Sequence, residues 1–132
     1  MKLLQTILAA LTLCVTLSAC GTPLAEVSGT VYVDDQILKE GEIIFQEVDN
    51  SKTPVSNKIS DGKYSLKMVP GSKRIQIKAS RPTAKPDPVM GTAAREAMIA
   101  EEFNERTTLQ MDVTTGKHNN VDFKVKSILR DP

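Results

Sequence analysis

Cys20 is the residue whose type and position could carry the most chemistry. It is one of two cysteines in the 132 residues, and it directly follows Leu17-Ser18-Ala19 at the end of an apolar run that begins behind Lys2. Small residues such as Ser18 and Ala19 mark a cleavage edge, and a thiol just beyond one is placed to become the first residue of a processed chain. The other chemistry-bearing residues are sparse. His118 is the only histidine and falls in an apparent turn, so nucleophilic catalysis by a serine or thiol lacks a positioned base. A zinc site wants three or four ligands, and one histidine with no free cysteine cannot provide the usual set. Adjacent acids occur at Asp34-Asp35 and Glu101-Glu102, where solvated faces are the plain reading, and no tryptophan accompanies them as a sugar platform. Asp34, Asp35 and Asp61 would share one end of a molecule whose strands alternate in direction, which makes them weak candidates for calcium. Asp also favours turns for its own reasons, because its carboxylate bonds nearby backbone N–H groups.

The elements that position these residues have an apolar period of two from Leu24 onward. Val27, Gly29, Val31 and Val33 share one face of a first strand. Asp34-Asp35-Gln36 ends it, and Gly41 opens a second with Ile43 and Phe45 on one side. After a polar connection from Asp49 to Pro54, a third strand spans Val55 to Ile59. Asp61-Gly62 is a tight-turn signal into a fourth carrying Tyr64, Leu66 and Met68. Val69-Pro70-Gly71-Ser72 suits a type II turn before a fifth with Ile75, Ile77 and Ala79. Strands resume with Leu109, Met111 and Val113, then with Val121, Phe123 and Val125 after a turn at Thr114 to Lys117.

Between the fifth and sixth strands lies an insertion, residues 81–107. Pro82, Pro86 and Pro88 exclude a central strand there and suggest a stiff extended connection. Thr92 could cap a short helix from Ala93 to about Glu102, with Ala94, Met98 and Ile99 inward. The expectation is an all-β, seven-stranded antiparallel sandwich with a Pro-rich, partly helical insertion before its last two strands. Removing residues 1–19 leaves one domain's length of chain, enough to bury roughly two-thirds of its unfolded surface. Cys14 lies in the discarded run, so no disulfide framework is available and packing alone must hold the fold. Lys plus Arg number 17 against 16 for Asp plus Glu, and losing Lys2 removes the surplus. Nucleic-acid binding, which needs a basic face, is not expected.

Leu17-Ser18-Ala19-Cys20 resembles a bacterial lipobox. Met1-Lys2 is a minimal positive start, and Leu3 to Leu17 is shorter than the ~20 apolar residues a spanning helix needs. The resemblance implies cleavage before Cys20, a diacylglyceryl group on its thiol and acylation of the new amine by chains such as palmitate. An ordinary secretory signal that leaves Cys20 as a free thiol is the alternative. In similar lipoproteins of some double-membraned bacteria, aspartate after the cysteine retains the protein at the inner membrane. Gly21 stands there instead, which favours the outer membrane where that rule applies.

Val27-x-Gly29-x-Val31, Gly41-x-Ile43-x-Phe45, Asp61-Gly62-Lys63-Tyr64-x-Leu66 and Pro70-Gly71 before Ile75-x-Ile77 together look like the carboxypeptidase regulatory-like, transthyretin-like sandwich, an Ig-like fold found on many bacterial lipoproteins. The segment Phe103-Asn104-Glu105-Arg106-Thr107-Thr108-Leu109 and the closing Asn120-x-x-Phe123 extend the likeness over nearly all of residues 27–125. Phe103 stands where such a chain would carry Tyr. The resemblance implies a non-catalytic folding or interaction module without cofactor. An enzyme of the same fold, hydroxyisourate hydrolase, relies on histidines, an arginine and a terminal Tyr-Arg-Gly-Ser, and this chain ends Leu129-Arg130-Asp131-Pro132.

The resulting division is a leader at residues 1–19, a lipidated start and linker at 20–26, a sandwich at 27–126 and a tail at 127–132. Alternating strand direction places the anchor beside the connections at Asp49 to Pro54, Val69 to Ser72 and Thr114 to Asn119. The insertion then lies at the opposite end with Asp34 to Glu40 and Ser60 to Gly62. Val89, Met90, Ile99 and Phe103 are the candidates for contacting a partner, an envelope protein or polysaccharide, although an apolar face capping the sandwich explains them equally well. Expected function is thus a lipid-anchored extracytoplasmic binding or scaffold module. The alternatives are a purely structural envelope component, or a calcium- or carbohydrate-binding module.

Overall fold

The structure of the protein is a computed structural model that describes residues 21, 23–83, 88–89, 91 and 94–128. The leader 1–19, the lipobox Leu17, Ser18, Ala19 and Cys20, the candidate Met90, the expected cap Thr92 with Ala93, and residues 129–132 of the tail lie outside the described residues. Among the described residues, eleven strands follow one another: β1 Ala25–Val33, β2 Gln36–Ile37, β3 Glu40–Glu47, β4 Val55–Ser60, β5 Lys63–Met68, β6 Gly71–Lys78, β7 Ser80–Pro82, β8 Arg95–Ala97, β9 Gln110–Val113, β10 Gly116–His118 and β11 Phe123–Val125. A single 3₁₀ turn, Glu101–Phe103, separates β8 from β9.

The period-two pattern becomes burial directly. In β5, Tyr64, Leu66 and Met68 are buried while Lys63, Ser65 and Lys67 are exposed, as expected of strands with one face on a core. Two hairpins, at Asp34-Asp35 and at Asp61-Gly62, turn through left-handed φ values of 49° and 65°, and of 49° and 79°. Positive φ at both central positions is what the right-handed twist of the flanking strands favours.

Neighbouring strands follow the order β10, β1, β5, β4, β3, β6, β9, with β11 and β2 also pairing with β1. Most pairs are antiparallel, but β10 and β11 both run parallel to β1. The β4–β5 ladder shrinks to Ser60 against Lys63, whereas β3 and β4 pair from Glu40 against Ser60 to Phe45 against Val55. Where that ladder opens, the Asn57 amide Nδ2 donates to the Ser65 carbonyl at 2.7 Å. The sheet thus curls at β4–β5, and one core collects residues from both of its halves. Val27, Val31 and Leu66 from one side meet Ile43, Phe45, Ile75 and Ile77 from the other. The rings of Phe45, Tyr64 and Phe123 bind β3, β5 and β11 into that core, with centroids 6.1 to 6.4 Å apart, the range in which aromatic pairs attract.

Gly29 makes the closure possible. A Cβ there would stand 1.9 Å from the Val121 carbonyl oxygen, so only glycine lets the chain before β11 lie against β1. The Val121 N–H donates to the Ser28 carbonyl at 2.9 Å, and the Val121 carbonyl accepts the Tyr64 hydroxyl at 2.6 Å. Asp122 Oδ1 accepts the Thr30 N–H at 2.8 Å. Burial, and secondarily the Asp122 charge, push the Tyr64 phenol well above its ordinary pKa, so it stays a donor throughout the physiological range.

One charged pair belongs to the interior. Lys73 occupies an inward position of β6, in line with Ile75 and Ile77, and its ammonium pairs with Glu47. Removing one member of such a buried pair strands the other, which typically costs about 3–5 kcal/mol.

Two expectations change. The seven alternating segments fall in β1, β3, β4, β5, β6, β9 and β11, but four further short strands are present among the described residues, so the curled sheet differs from a simple count of seven. The helix expected from Ala93 to Glu102 is replaced, over Arg95–Ala97, by a strand that pairs with β7. Spacings of four, as between Ala94 and Met98, fit a strand as well as a helix, and the nearby β7 edge decides the outcome. Ala94 is buried and Met98 packs against the core as the inward reading required, so the error lay in the backbone and not in the face.

Gly29→Ala is expected to cost about 3 kcal/mol, from overpacking together with strain on the Tyr64 bond. Thermal unfolding should show a midpoint lowered by roughly 10–20 °C, and an unchanged midpoint would contradict the closure at Val121.

Candidate functional site

The strand registers give the molecule two distinct ends. Ala25 lies beside Met68 and Gly116, and Gly71 lies beside Val113, so the start of β1 shares an end with the connections after β3, β5 and β9. At the opposite end are the two hairpin turns, the whole of β7 and β8, and residues 98–109. This opposite end is the candidate site, because the long insertion folds there over the edge and outer face of the sheet.

Main-chain bonds stitch the insertion down. The Met98 N–H donates to the Ala79 carbonyl at 2.9 Å, Ala100 N–H to the Lys126 carbonyl at 3.0 Å, and Ile128 N–H to the Met98 carbonyl at 2.8 Å. Thr107 Oγ1 donates to the Ile75 carbonyl at 2.5 Å. Arg81 joins three segments: its Nε donates to Glu96 at 2.9 Å, and its Nη2 to the Ile128 carbonyl at 2.9 Å. Asp34 completes the seam by accepting the Ser127 hydroxyl and, at 3.2 Å, the Ser127 N–H. Those two bonds hold the Asp34 carboxyl below its ordinary pKa, with smaller help from Lys126 and Arg81.

Between β3, β4, β6 and the insertion runs an open groove of about 840 Å³, whose lining includes Glu42, Lys58, Lys78, Arg95, Asn104 and Glu105. Glu42 is the register partner of both Lys58 and Lys78, so charges of opposite sign alternate across its floor. Arg95 is already committed, its Nε donating to Ser80 Oγ at 2.8 Å and its Nη2 to the Ser80 carbonyl at 2.7 Å. Asn104 Oδ1 is buried here without a hydrogen-bond partner. Such a groove suits polar ligands that offer both donors and acceptors.

The residues singled out from the sequence scatter. Asp34, Asp35 and Asp61 share the far end, but each serves a turn with left-handed φ, and Asp34 is engaged by Ser127. Among the described residues no three His, Cys, Asp or Glu side chains form a group able to hold a metal ion. Val89 is 91% exposed, whereas Ile99 is 1% exposed and lies in the core. Phe103 is half-buried against the same core. Ile99 is therefore a core residue, and Phe103 packs on the core's edge with its outer part exposed. His118 lies at the end where β1 starts, its Nε2 donating to the Thr114 carbonyl at 2.7 Å.

The groove itself went unread, since its walls come from five separated segments. Only the pairing of β3 with β4 and β6 brings Lys58 and Lys78 to Glu42. Arg81 and Ser127, which fasten the insertion, were equally invisible. No helix among the described residues is long and apolar enough to cross a membrane. Compared with known family models and with curated proteins, the chain matches none.

The Asp34 seam should titrate. Because its folded pKa lies below the ordinary carboxyl value of 3.8, its contribution is present above that value and is lost as pH falls through the folded pKa. Ser127→Ala should leave stability at neutral pH somewhat lower and weaken its dependence on pH below 3.8. Amide exchange at Met98 and Ala100 should rise in step, and identical acid titrations of variant and parent would refute the seam.

Proposed function

We propose that this chain is a bacterial lipoprotein, anchored on the extracytoplasmic side of a membrane through acylated Cys20, and that its single β domain is a non-catalytic binding or scaffold module of the cell envelope. The observation that carries the reading is Leu17-Ser18-Ala19-Cys20 behind a short apolar run, set immediately before a domain that begins at Ala25. Four residues separate Cys20 from Ala25, five steps along the chain and a reach of at most ~18 Å. An anchor at Cys20 therefore holds the start of β1 against the head groups and directs the insertion and its groove outward.

The finer fold reading is that β1, β3, β4, β5, β6, β9 and β11 form an Ig-like sandwich of the carboxypeptidase regulatory-like, transthyretin-like kind. The curled sheet around one core supports it, and so does the return of the last strand to the first. A binding role is favoured over a purely structural one by the groove. Its Asn104 acceptor, buried without a hydrogen-bond partner, is costly to maintain in a surface with no ligand. The ligand class is an envelope protein or polysaccharide, met at the end facing away from the membrane.

Cys20→Ala tests the anchor. In cells expressing the full chain, the parent should sediment with membranes and dissolve only in detergent, and the variant should lose the acyl chains that hold it, since two or three chains anchor stably where none does. A variant that carries no lipid and still sediments with membranes would overturn the anchor.

A further inference from the structure

We propose that the end of the fold where β1 starts is itself a lipid-contacting face, with Leu24 and Val48 entering the head-group and acyl boundary and Lys52, Lys67 and Lys117 meeting the phosphates. This rests on the Cys20 anchor. Leu24 is 53% exposed and Val48 39% exposed. They stand on opposite halves of the curled sheet, one leading into β1 and the other leaving β3, so both sides of the core present an apolar residue at this end.

Val48 is held in place rather than loosely displayed. Its N–H donates to the Ser72 carbonyl at 3.1 Å, and the turn behind it closes with the Asn50 N–H on the Glu47 carbonyl at 3.0 Å. Ser51 N–H on Asp49 Oδ1 at 2.9 Å completes the turn. A fixed apolar residue beside a membrane loses little entropy on entering it.

Charge points the same way. The acids at this end are engaged: Asp49 with Ser51, Asp112 with the Ser72 hydroxyl at 2.6 Å, and Glu47 with buried Lys73. Glu26 lies in register between Lys67 and Lys117. Lys52, Lys67 and Lys117 are exposed and take part in none of the ion pairs among the described residues. The face therefore offers three exposed lysines, none in a close ion pair among the described residues, around two apolar points, a pattern that suits phosphate head groups over an acyl layer.

The occupant is fixed by the tether. With the acylated cysteine five residues upstream of β1, the bilayer is present at high effective concentration, so even a weak contact orients the domain. A protein partner would have to displace that membrane.

The chain contains no tryptophan, so Val48→Trp and, at the far end, Ile37→Trp each introduce a lone indole at an exposed position. Each variant is made as the lipidated full chain and reconstituted in vesicles of phosphatidylethanolamine and phosphatidylglycerol, with or without bromine on the acyl chains. The Val48→Trp protein should emit further to the blue in vesicles than in detergent-free solution as the Cys20→Ala form. It should also be quenched about threefold more strongly by bromine than the Ile37→Trp protein, as a side chain ~5–10 Å deep would be. Equal, weak quenching of both variants while they still float with the vesicles overturns the lipid-contacting face and leaves the anchor standing. Failure of the parent chain to float overturns the anchor, and the face with it.

Discussion

Everything in this fold depends on what can lie against β1. The strand is paired on one side by β5 and on the other, in parallel, by β10 and then β11. The step between those last two brings the Val121 peptide over Gly29, close enough that no Cβ could stand there. Tyr64 then spans from β5 to the same carbonyl, while its ring touches Phe45 and Phe123 across the core. Residues 21–132 contain no cysteine, so this closure holds the domain without a covalent tie. Loosening it would release Ser127 and Ile128, which help fasten the insertion.

From that closure the two ends acquire different characters. At the start of β1 the Lys73–Glu47 pair and the turn after β3 satisfy several acids, and Lys52, Lys67 and Lys117 stand exposed around them. At the opposite end the insertion is laid over the sheet as an added layer, held by Arg81, Asp34 and a few main-chain bonds. Its charged groove is left open to solvent. Under the proposed anchoring at Cys20, the short tether to the first end gives this asymmetry its consequence, with one end toward lipid and the other toward the surroundings. The same asymmetry would have little consequence in a domain free to tumble.

Much of this was legible in the alternation of apolar residues. Val27 to Val33, Ile43 with Phe45, and Tyr64 to Met68 could only be strands with one face inward, and Asp61-Gly62 could only be a tight turn between two of them. Alternation carries no information about direction, so the parallel return of β10 and β11 to β1 was not visible. It also could not show that Gly29, read as a core-facing position, faces a carbonyl. Lys73 escaped notice because lysine is rarely buried. Its signal was parity with Ile75 and Ile77, with an acid waiting at the end of β3. In the insertion, Ala94, Met98 and Ile99 turn inward as their spacing suggests, but on a backbone that pairs as a strand at Arg95–Ala97 rather than coiling as a helix. The groove depends on contacts between segments far apart in sequence, and no local pattern announces it.

The claim on which the functional account rests is that Cys20 is the acylated first residue of the mature protein. Mass spectrometry of the amino-terminal peptide, taken from protein extracted in detergent from the cells that make it, measures this directly. The account predicts a peptide that begins at Cys20 and carries the added mass of a diacylglyceryl group, with or without an acyl chain on its amine. A peptide that begins elsewhere, or that begins at Cys20 with an unmodified thiol, would contradict it.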